Sequence, residues 1–296
     1  MIRAPSEHSA ALRSGTVAGI VAVLGHGVIP RGQPVLRADD RGVLHGDGLF
    51  ETMHVRAGRP WLRDEHLARL ARSAAAIDLR LPEPAALAEL LDTTCAAWPP
   101  DVEGALRLTC TRGPDGGGPA VFATLNPVPP AALRGRRDGI AVATLPLGVA
   151  ATARADRPWL LPGVKSLSYG TSAAALRWAA RAGVDDVLWT SSDGYALEGP
   201  TANLVWLDGR VLCTVPAATT GILPGVTAAW LLAHAGDLGL AADERMITPT
   251  ELRATSGGVW LTSSVRGVAE VRSLDGVPLP PSPHTAAVRD LLGFPA

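Results

Sequence analysis

Residues 159–169 read Trp-Leu-Leu-Pro-Gly-Val-Lys-Ser-Leu-Ser-Tyr, WLLPGVKSLSY, and Lys165 at their centre is the single lysine of the chain. Lysine and arginine together number 27, so one lysine leaves 26 arginines. A guanidinium stays protonated and cannot form an imine, whereas an amine can lose its proton to its surroundings and attack a carbonyl. An arginine-rich chain can keep one surface lysine by chance. The setting argues against that, because the stretch is apolar and marked by Pro162 and Gly163 rather than solvated. Lys165 is therefore read as an imine-forming catalytic lysine, and every other motif has to be compatible with it.

Outside this stretch the bulk properties mainly exclude. A chain of 296 residues is long for one small domain, and comfortable for two of roughly 120–150 residues. Apolar residues make up 47% and charged ones 19%, which suits a globular protein with a sizeable core. A formal net charge of −1 gives no electrostatic case for nucleic acid or an anionic membrane. Cys95, Cys110 and Cys213 are scattered and odd in number, without the spacing of a disulfide framework or a metal site. The apolar run at residues 17–24 is broken by Gly19 and too short to span a bilayer. The expectation is a cytoplasmic, soluble protein.

Periodicity and turn residues divide the chain. Residues 1–16 are expected as a loose tail and residues 17–130 as an N-terminal α+β domain. In that domain, strands are expected near residues 17–25, 49–55, 104–113 and 120–127, with a hairpin turn at residues 56–60. Helices are expected at residues 65–77, capped by Asp64, and from Pro82-Glu83 through Leu91. The proline- and arginine-rich stretch that ends at residues 131–139 reads as a linker. Residues 140–296 form the second domain. Its expected features are a strand at 140–146, a helix at 172–182 and hairpins turning at Ser192-Asp193-Gly194 and Asp208-Gly209. A helix leading from Gly225 through Leu238 and closing strands over residues 257–276 complete it.

An imine-forming lysine takes either a substrate ketone or pyridoxal phosphate as its carbonyl partner. The second needs an anion cradle, a carboxylate for the pyridine nitrogen and a donor for the phenolic oxygen. Leu223-Pro224-Gly225-Val226-Thr227 ahead of a helix suits the cradle, with backbone amides at the helix start and a hydroxyl from Thr227. Arg69 on the 65–77 helix is a charge-assisted partner for phosphate, or a solvated helix arginine. Glu198 in ALEGPTANLVW is the candidate carboxylate, or a glutamate at a turn. Tyr169 is the candidate donor, or a core residue.

Taken in order, HGDGLFET, HLARL, GVKSLSY, LEGPTANLVW, LPGVT and LTSSVRGVAEV resemble the class IV aminotransferases. These are the fold-type IV pyridoxal-phosphate enzymes, and the resemblance spans residues 19–290. It implies a two-domain α+β fold like that of D-amino-acid aminotransferases, with the active site between the domains. It also implies a homodimer in which a partner loop completes each site, and pyridoxal 5'-phosphate as cofactor. By the same resemblance, Lys165 matches the Schiff-base lysine, Glu198 the pyridine-nitrogen carboxylate and Arg69 the phosphate-binding arginine. Tyr169 matches the phenolic-oxygen tyrosine, Leu223 the leucine packed against the ring, and Val226 and Thr227 the phosphate-cradling pair. Ser264 matches a further phosphate-side hydroxyl, with Val265 in the turn near the substrate carboxylate.

Within the family, D-amino-acid aminotransferases trap the substrate carboxylate with an Arg-x-His pair in the loop after TRG. Here that pair falls on Gly117 and Pro119, neither of which offers a side-chain donor. The GDGLFET and TSSVRGV forms are most similar to 4-amino-4-deoxychorismate lyases. The resemblance thus implies conversion of 4-amino-4-deoxychorismate to 4-aminobenzoate and pyruvate, with a class IV aminotransferase acting on D-amino or branched-chain amino acids as the alternative. A relative that only binds the cofactor is disfavoured, since Lys165, Glu198 and Arg69 are present together. A substrate with two carboxylates calls for cations. Arg107, alternating with Leu106 and Leu108, and Arg266 are the candidates, each equally readable as a structural ion pair. Phe50 and His45, in and beside GDGLFET, are expected to line the substrate pocket.

Overall fold

A computed structural model describes residues 17–294, so the expected tail at residues 1–16 lies outside the described residues. The chain divides into two compact units, one formed by Met1–Ala71 and Leu79–Pro129 and the other by Arg72–Asp78 and Pro130–Ala296.

The first unit is built on an antiparallel sheet. Its strands are β1 (Ile20–Val23), β2 (Gly27–Ile29), β3 (Gly48–Arg56), β4 (Arg59–Pro60), β5 (Gly104–Thr111) and β6 (Ala120–Pro127), in the order β2-β1-β6-β5-β3-β4. The β3–β5 register runs unbroken from Gly48 opposite Thr111 to Val55 opposite Gly104. Alternation along β3 sends Leu49, Glu51, Met53 and Val55 to one face and Phe50, Thr52 and His54 to the other. All of these except Thr52 are buried, which makes β3 a strand covered on both sides. The helices are α1 (Arg41–His45), α2 (Arg63–Ala76) and α3 (Pro84–Ala96). Asp40 caps α1 by accepting the Gly42 amide. Asp64, expected as the cap of α2, instead lies inside its first turn, because α2 starts at Arg63, two residues earlier than expected.

The second unit corrects the expected linker. Residues 131–139 are not an open connection, because Pro130–Asp138 forms helix α4, which packs on a strand of the second sheet and buries Arg136. Proline at the first helical position suits a helix start, so the same prolines that suggest a linker open a helix here. The strands are β7 (Ile140–Pro146), β8 (Asp186–Thr190), β9 (Asn203–Asp208), β10 (Val211–Thr214), β11 (Ala241–Glu244), β12 (Val259–Ser263), β13 (Gly267–Leu274) and β14 (Val277–Pro278). They run in the order β11-β10-β9-β12-β13-β7-β8, with β14 on β13. Hairpins give antiparallel pairs at β9–β10 and β12–β13, β9 and β12 also pair antiparallel, and β9 turns into β10 at Asp208-Gly209 as expected. In contrast, β7–β8, β7–β13 and β10–β11 are parallel. Parallel neighbours need a long crossover; between β7 and β8 it includes the Lys165 stretch and helix α5 (Gly170–Ala182).

The remaining helices are α6 (Ala217–Thr220), α7 (Val226–Ala233), α8 (Pro249–Ala254) and α9 (Thr285–Leu291). The helix expected through Leu238 ends at Ala233 and gives way to a 3-10 turn at Ala235–Leu238. Trp206, Leu204, Leu261 and Ala269 lie in the apolar core of this sheet. Among the described residues no helix is long and apolar enough to cross a membrane.

Candidate active site

Lys165 stands in the β7–β8 crossover, after the 3-10 turn Pro158–Leu160 and before α5. Backbone contacts hold its loop. The Gly163 N–H donates to Gly221 O at 3.1 Å and the Lys165 N–H to Ser73 Oγ at 3.4 Å. Gly163 has φ +67°, a conformation that residues with a Cβ seldom adopt. The half-buried Lys165 places Nζ 5.9 Å from the Tyr169 ring centroid. The Tyr169 hydroxyl in turn donates to Pro200 O at 3.2 Å, two residues beyond Glu198. The loops carrying the amine and the carboxylate are thus tied together.

Glu198 pairs through its backbone with Asn203, the first residue of β9. Its two carboxylate oxygens share the Leu223 N–H at 3.3 and 3.2 Å. On the other side of the same residue, Asn203 Nδ2 donates to Leu223 O at 2.7 Å. Two residues on, Gly225 is the N-cap of α7 and supplies no side-chain cap. A Cβ on Gly225 would fall 1.8 Å from Asn203 Oδ1, so close packing requires glycine here. Val226 and Thr227 open α7 and are buried, and Thr227 Oγ1 donates to Ser264 Oγ at 3.5 Å.

Ser264 and Val265 lie in the turn between β12 and β13. The buried Arg136 on α4 holds that turn, donating from Nη2 to Val265 O at 2.9 Å and from Nε to Arg266 O at 3.3 Å. Arg266 departs from the expected role of substrate cation. Its Nη1 donates to the buried Asp186 at 2.8 Å, so the structure assigns it to an ion pair between the starts of β13 and β8.

In the first unit, Arg69 on α2 is buried and held by Glu51 of β3, through Nε at 2.8 Å and Nη2 at 2.6 Å. His66 Nδ1 lies 2.7 Å from the same carboxylate. Burial alone would raise the Glu51 carboxyl, but the hydrogen bonds from Arg69 and His66 outweigh it and bring it down to about 2. The Arg107 guanidinium sits 3.6 Å over the Phe50 ring centroid, a diagonal cross-strand contact on the face of β5 opposite Leu106 and Leu108. His45, expected to line the pocket, is exposed on the last turn of α1.

The second unit therefore carries an amine, a carboxylate and a helix start with two neighbouring hydroxyls. The amides at the start of α7 lie beside the Thr227 and Ser264 hydroxyls, and this donor set fits pyridoxal phosphate. Lys165 would take its aldehyde, Glu198 its ring nitrogen, and Val226, Thr227 and Ser264 its phosphate. Sequence reasoning passed over Glu51, Ser73, Arg136 and Asn203. The signal that was available was a polar residue within an apolar strand, seen at Glu51 in LFETM and at Asn203 in TANLV.

Residues 48–274 match the protein family described as amino-transferase class IV. The bifunctional aminodeoxychorismate lyase / D-amino acid transaminase of Mycobacterium tuberculosis is 36% identical over 282 residues, covering 92% of this chain and 97% of that protein. A solved structure of a hypothetical aminotransferase from Mycobacterium tuberculosis, in its PLP-bound form, matches with a TM-score of 0.88 and 37% identity, covering 93% of this chain and 98% of that one. The 4-amino-4-deoxychorismate lyase of Pseudomonas aeruginosa matches with a TM-score of 0.76 and 29% identity, over 92% of this chain and 97% of that one.

Proposed function

The chain belongs to the class IV aminotransferases, and on that premise we propose that it is a lyase converting 4-amino-4-deoxychorismate to 4-aminobenzoate and pyruvate. Its cofactor is pyridoxal 5'-phosphate. The same reading has it work as a cytoplasmic homodimer.

The observation that carries the lyase reading is the loop between β5 and β6. Pairing of Thr111 with Ala120 bounds this loop at residues 112–119. Its one cation is Arg112, whose Nε donates to Asp47 at 2.8 Å. Gly117 and Pro119 stand where D-amino-acid aminotransferases carry the carboxylate-trapping Arg-x-His pair. A loop without an imidazole, and with its guanidinium already engaged, is poorly suited to grip an α-carboxylate. Arg107, stacked over Phe50, is the candidate for a substrate carboxylate in this reading, and an arginine fork suits that partner.

When bound, the cofactor supplies an electron sink for the bond broken at the substrate carbon bearing nitrogen. Lys165 Nζ removes the proton from that carbon as general base. The bond between the ring and the enolpyruvyl oxygen then breaks, the ring becomes aromatic, and the enolpyruvyl group leaves with the electron pair. Lys165 Nζ returns its proton to the methylene carbon of the leaving group, which becomes pyruvate. Glu198, fixed by the Leu223 amide, would hold the ring nitrogen. Thr227 and Ser264 would hold the phosphate end.

A second reading, transamination of D-amino acids, is favoured by the double name of the Mycobacterium tuberculosis relative. It uses the same first proton transfer, so the shared residues do not separate the two. Turnover of 4-amino-4-deoxychorismate with no keto acid present does. Equal, catalytic amounts of 4-aminobenzoate and pyruvate are expected, and Lys165→Ala should abolish both. If no product forms, while D-alanine with 2-oxoglutarate is turned over, the lyase reading fails and the transaminase reading replaces it.

A further inference from the structure

The contacts around Leu223 leave one buried polar side chain without a place in the scheme above. Asn203 is 7% exposed, yet none of the roles assigned to the cofactor or the substrate falls on it. Its backbone pairs with Glu198 on one side and, through the β9–β12 ladder, with Thr262 on the other. Its side chain reaches across to the 223–225 loop. Nδ2 donates to Leu223 O, and Oδ1 occupies the space that a Cβ on Gly225 would need.

We propose that Asn203 is a positioning residue that sets both ends of the cofactor site at once. Leu223 is pinned through both of its flanking peptides, its N–H by Glu198 and its C=O by Asn203. The hold on Leu223 O anchors one peptide plane at Leu223, and the adjoining plane carries the N–H that the two Glu198 oxygens share almost equally. A shift of Leu223 therefore turns the carboxylate that faces the ring nitrogen. The packing of Oδ1 against Gly225 fixes where α7 begins, and with it the direction of the amides at the phosphate end. One carboxamide thus couples the two anchor points. This rests on the reading that Glu198 and the start of α7 flank the cofactor.

The coupling separates Asn203 from residues that serve one end only. Asn203→Asp keeps the shape, removes the Nδ2 donor and sets an oxygen against Leu223 O. In the full-length apoprotein it should weaken both pyridoxal phosphate and phosphate-free pyridoxal by about tenfold or more, since a buried carbonyl loses its partner. Thr227→Val should weaken pyridoxal phosphate and leave pyridoxal unchanged. A second arm guards against a variant that does not fold. Gly225→Ala places its methyl on Asn203 Oδ1 and should weaken pyridoxal phosphate, and adding Asn203→Ala should restore part of that loss. A general packing defect would make the double variant worse instead. Wild-type dissociation constants for both ligands in a folded Asn203→Asp protein, with Glu198→Ala and Thr227→Val still impaired, overturn the proposal and leave the site reading standing. If Glu198→Ala and Thr227→Val also bind normally, the site reading itself is wrong and the proposal falls with it.

Discussion

Glu51 carries a fully buried charge in the first unit. It is fully buried between Arg69 and His66, where an unpaired charge would be costly to keep. Its carboxyl is lowered from 4.5 to about 2 despite burial, so the folded state favours the ionised form. The sign follows from linkage: the stabilisation is fully present above the unfolded value near 4.5 and is lost as pH falls through the folded value near 2. A shift of this size corresponds to stabilisation on the order of 3 kcal/mol at neutral pH. Glu51→Gln should cost about 3–5 kcal/mol at pH 7, because Arg69 is left without its counter-charge. It should also flatten the decline in stability between pH 4.5 and 2, as read by urea unfolding at a series of pH values. A variant with unchanged stability at pH 7 would show that Arg69 finds its counter-charge elsewhere. The contrast with Lys165 explains which residues could be read in advance. Lys165 announces itself by being alone and by its apolar, turn-marked setting. The meaning of Glu51 depends on a helix partner 18 residues away, and that of Arg266 on Asp186 80 residues away. Neither distance leaves a mark on local pattern.

At the scale of elements, alternation and turn chemistry were enough to find most of the strands and four of the nine α-helices among the described residues. Leu106 and Leu108 are fully buried, as their spacing implies, and Asp208-Gly209 turns β9 into β10. Order within the second sheet was not legible. A strand's periodicity states which face is buried but not which neighbour it pairs with, so the parallel β7–β8 and β7–β13 pairs appear only in the structure. The linker expectation failed for a related reason, since prolines ahead of a helix look the same as prolines in a loop. How an element docks can also turn on a single bond. Trp260 of β12 is fully buried and donates its Nε1–H to Thr285 Oγ1, the first residue of α9, at 2.8 Å. Thr285→Val preserves the side-chain outline and orphans that N–H, and should cost about 1–3 kcal/mol. Thr285→Ser keeps the acceptor and should lose less. Urea midpoints of the two variants provide the check. Equal losses would mean that the hydrogen bond contributes no more than the packing of the threonine methyl.

For the molecule as a whole, one lysine in 296 residues means that a single side chain can be trapped on the cofactor. Borohydride reduction of the loaded protein should attach one pyridoxyl group per chain, on the peptide holding Lys165, and Lys165→Arg should show none at that position. The same variant separates covalent from non-covalent holding. Arginine keeps the charge but forms no imine, while the α7 start, Thr227, Ser264 and Glu198 remain to bind phosphate and ring nitrogen. A ligand that binds only the folded state stabilises it by about 3 kcal/mol at a hundredfold excess over Kd. Wild-type protein with saturating pyridoxal phosphate should therefore melt well above its apo form. Lys165→Arg should keep part of that rise, since the cradle still grips the phosphate. A Lys165→Arg protein whose melting temperature ignores pyridoxal phosphate would mean that the amine alone holds the cofactor. The hydroxyls and amides gathered at the start of α7 would then be a feature of the fold rather than a phosphate site.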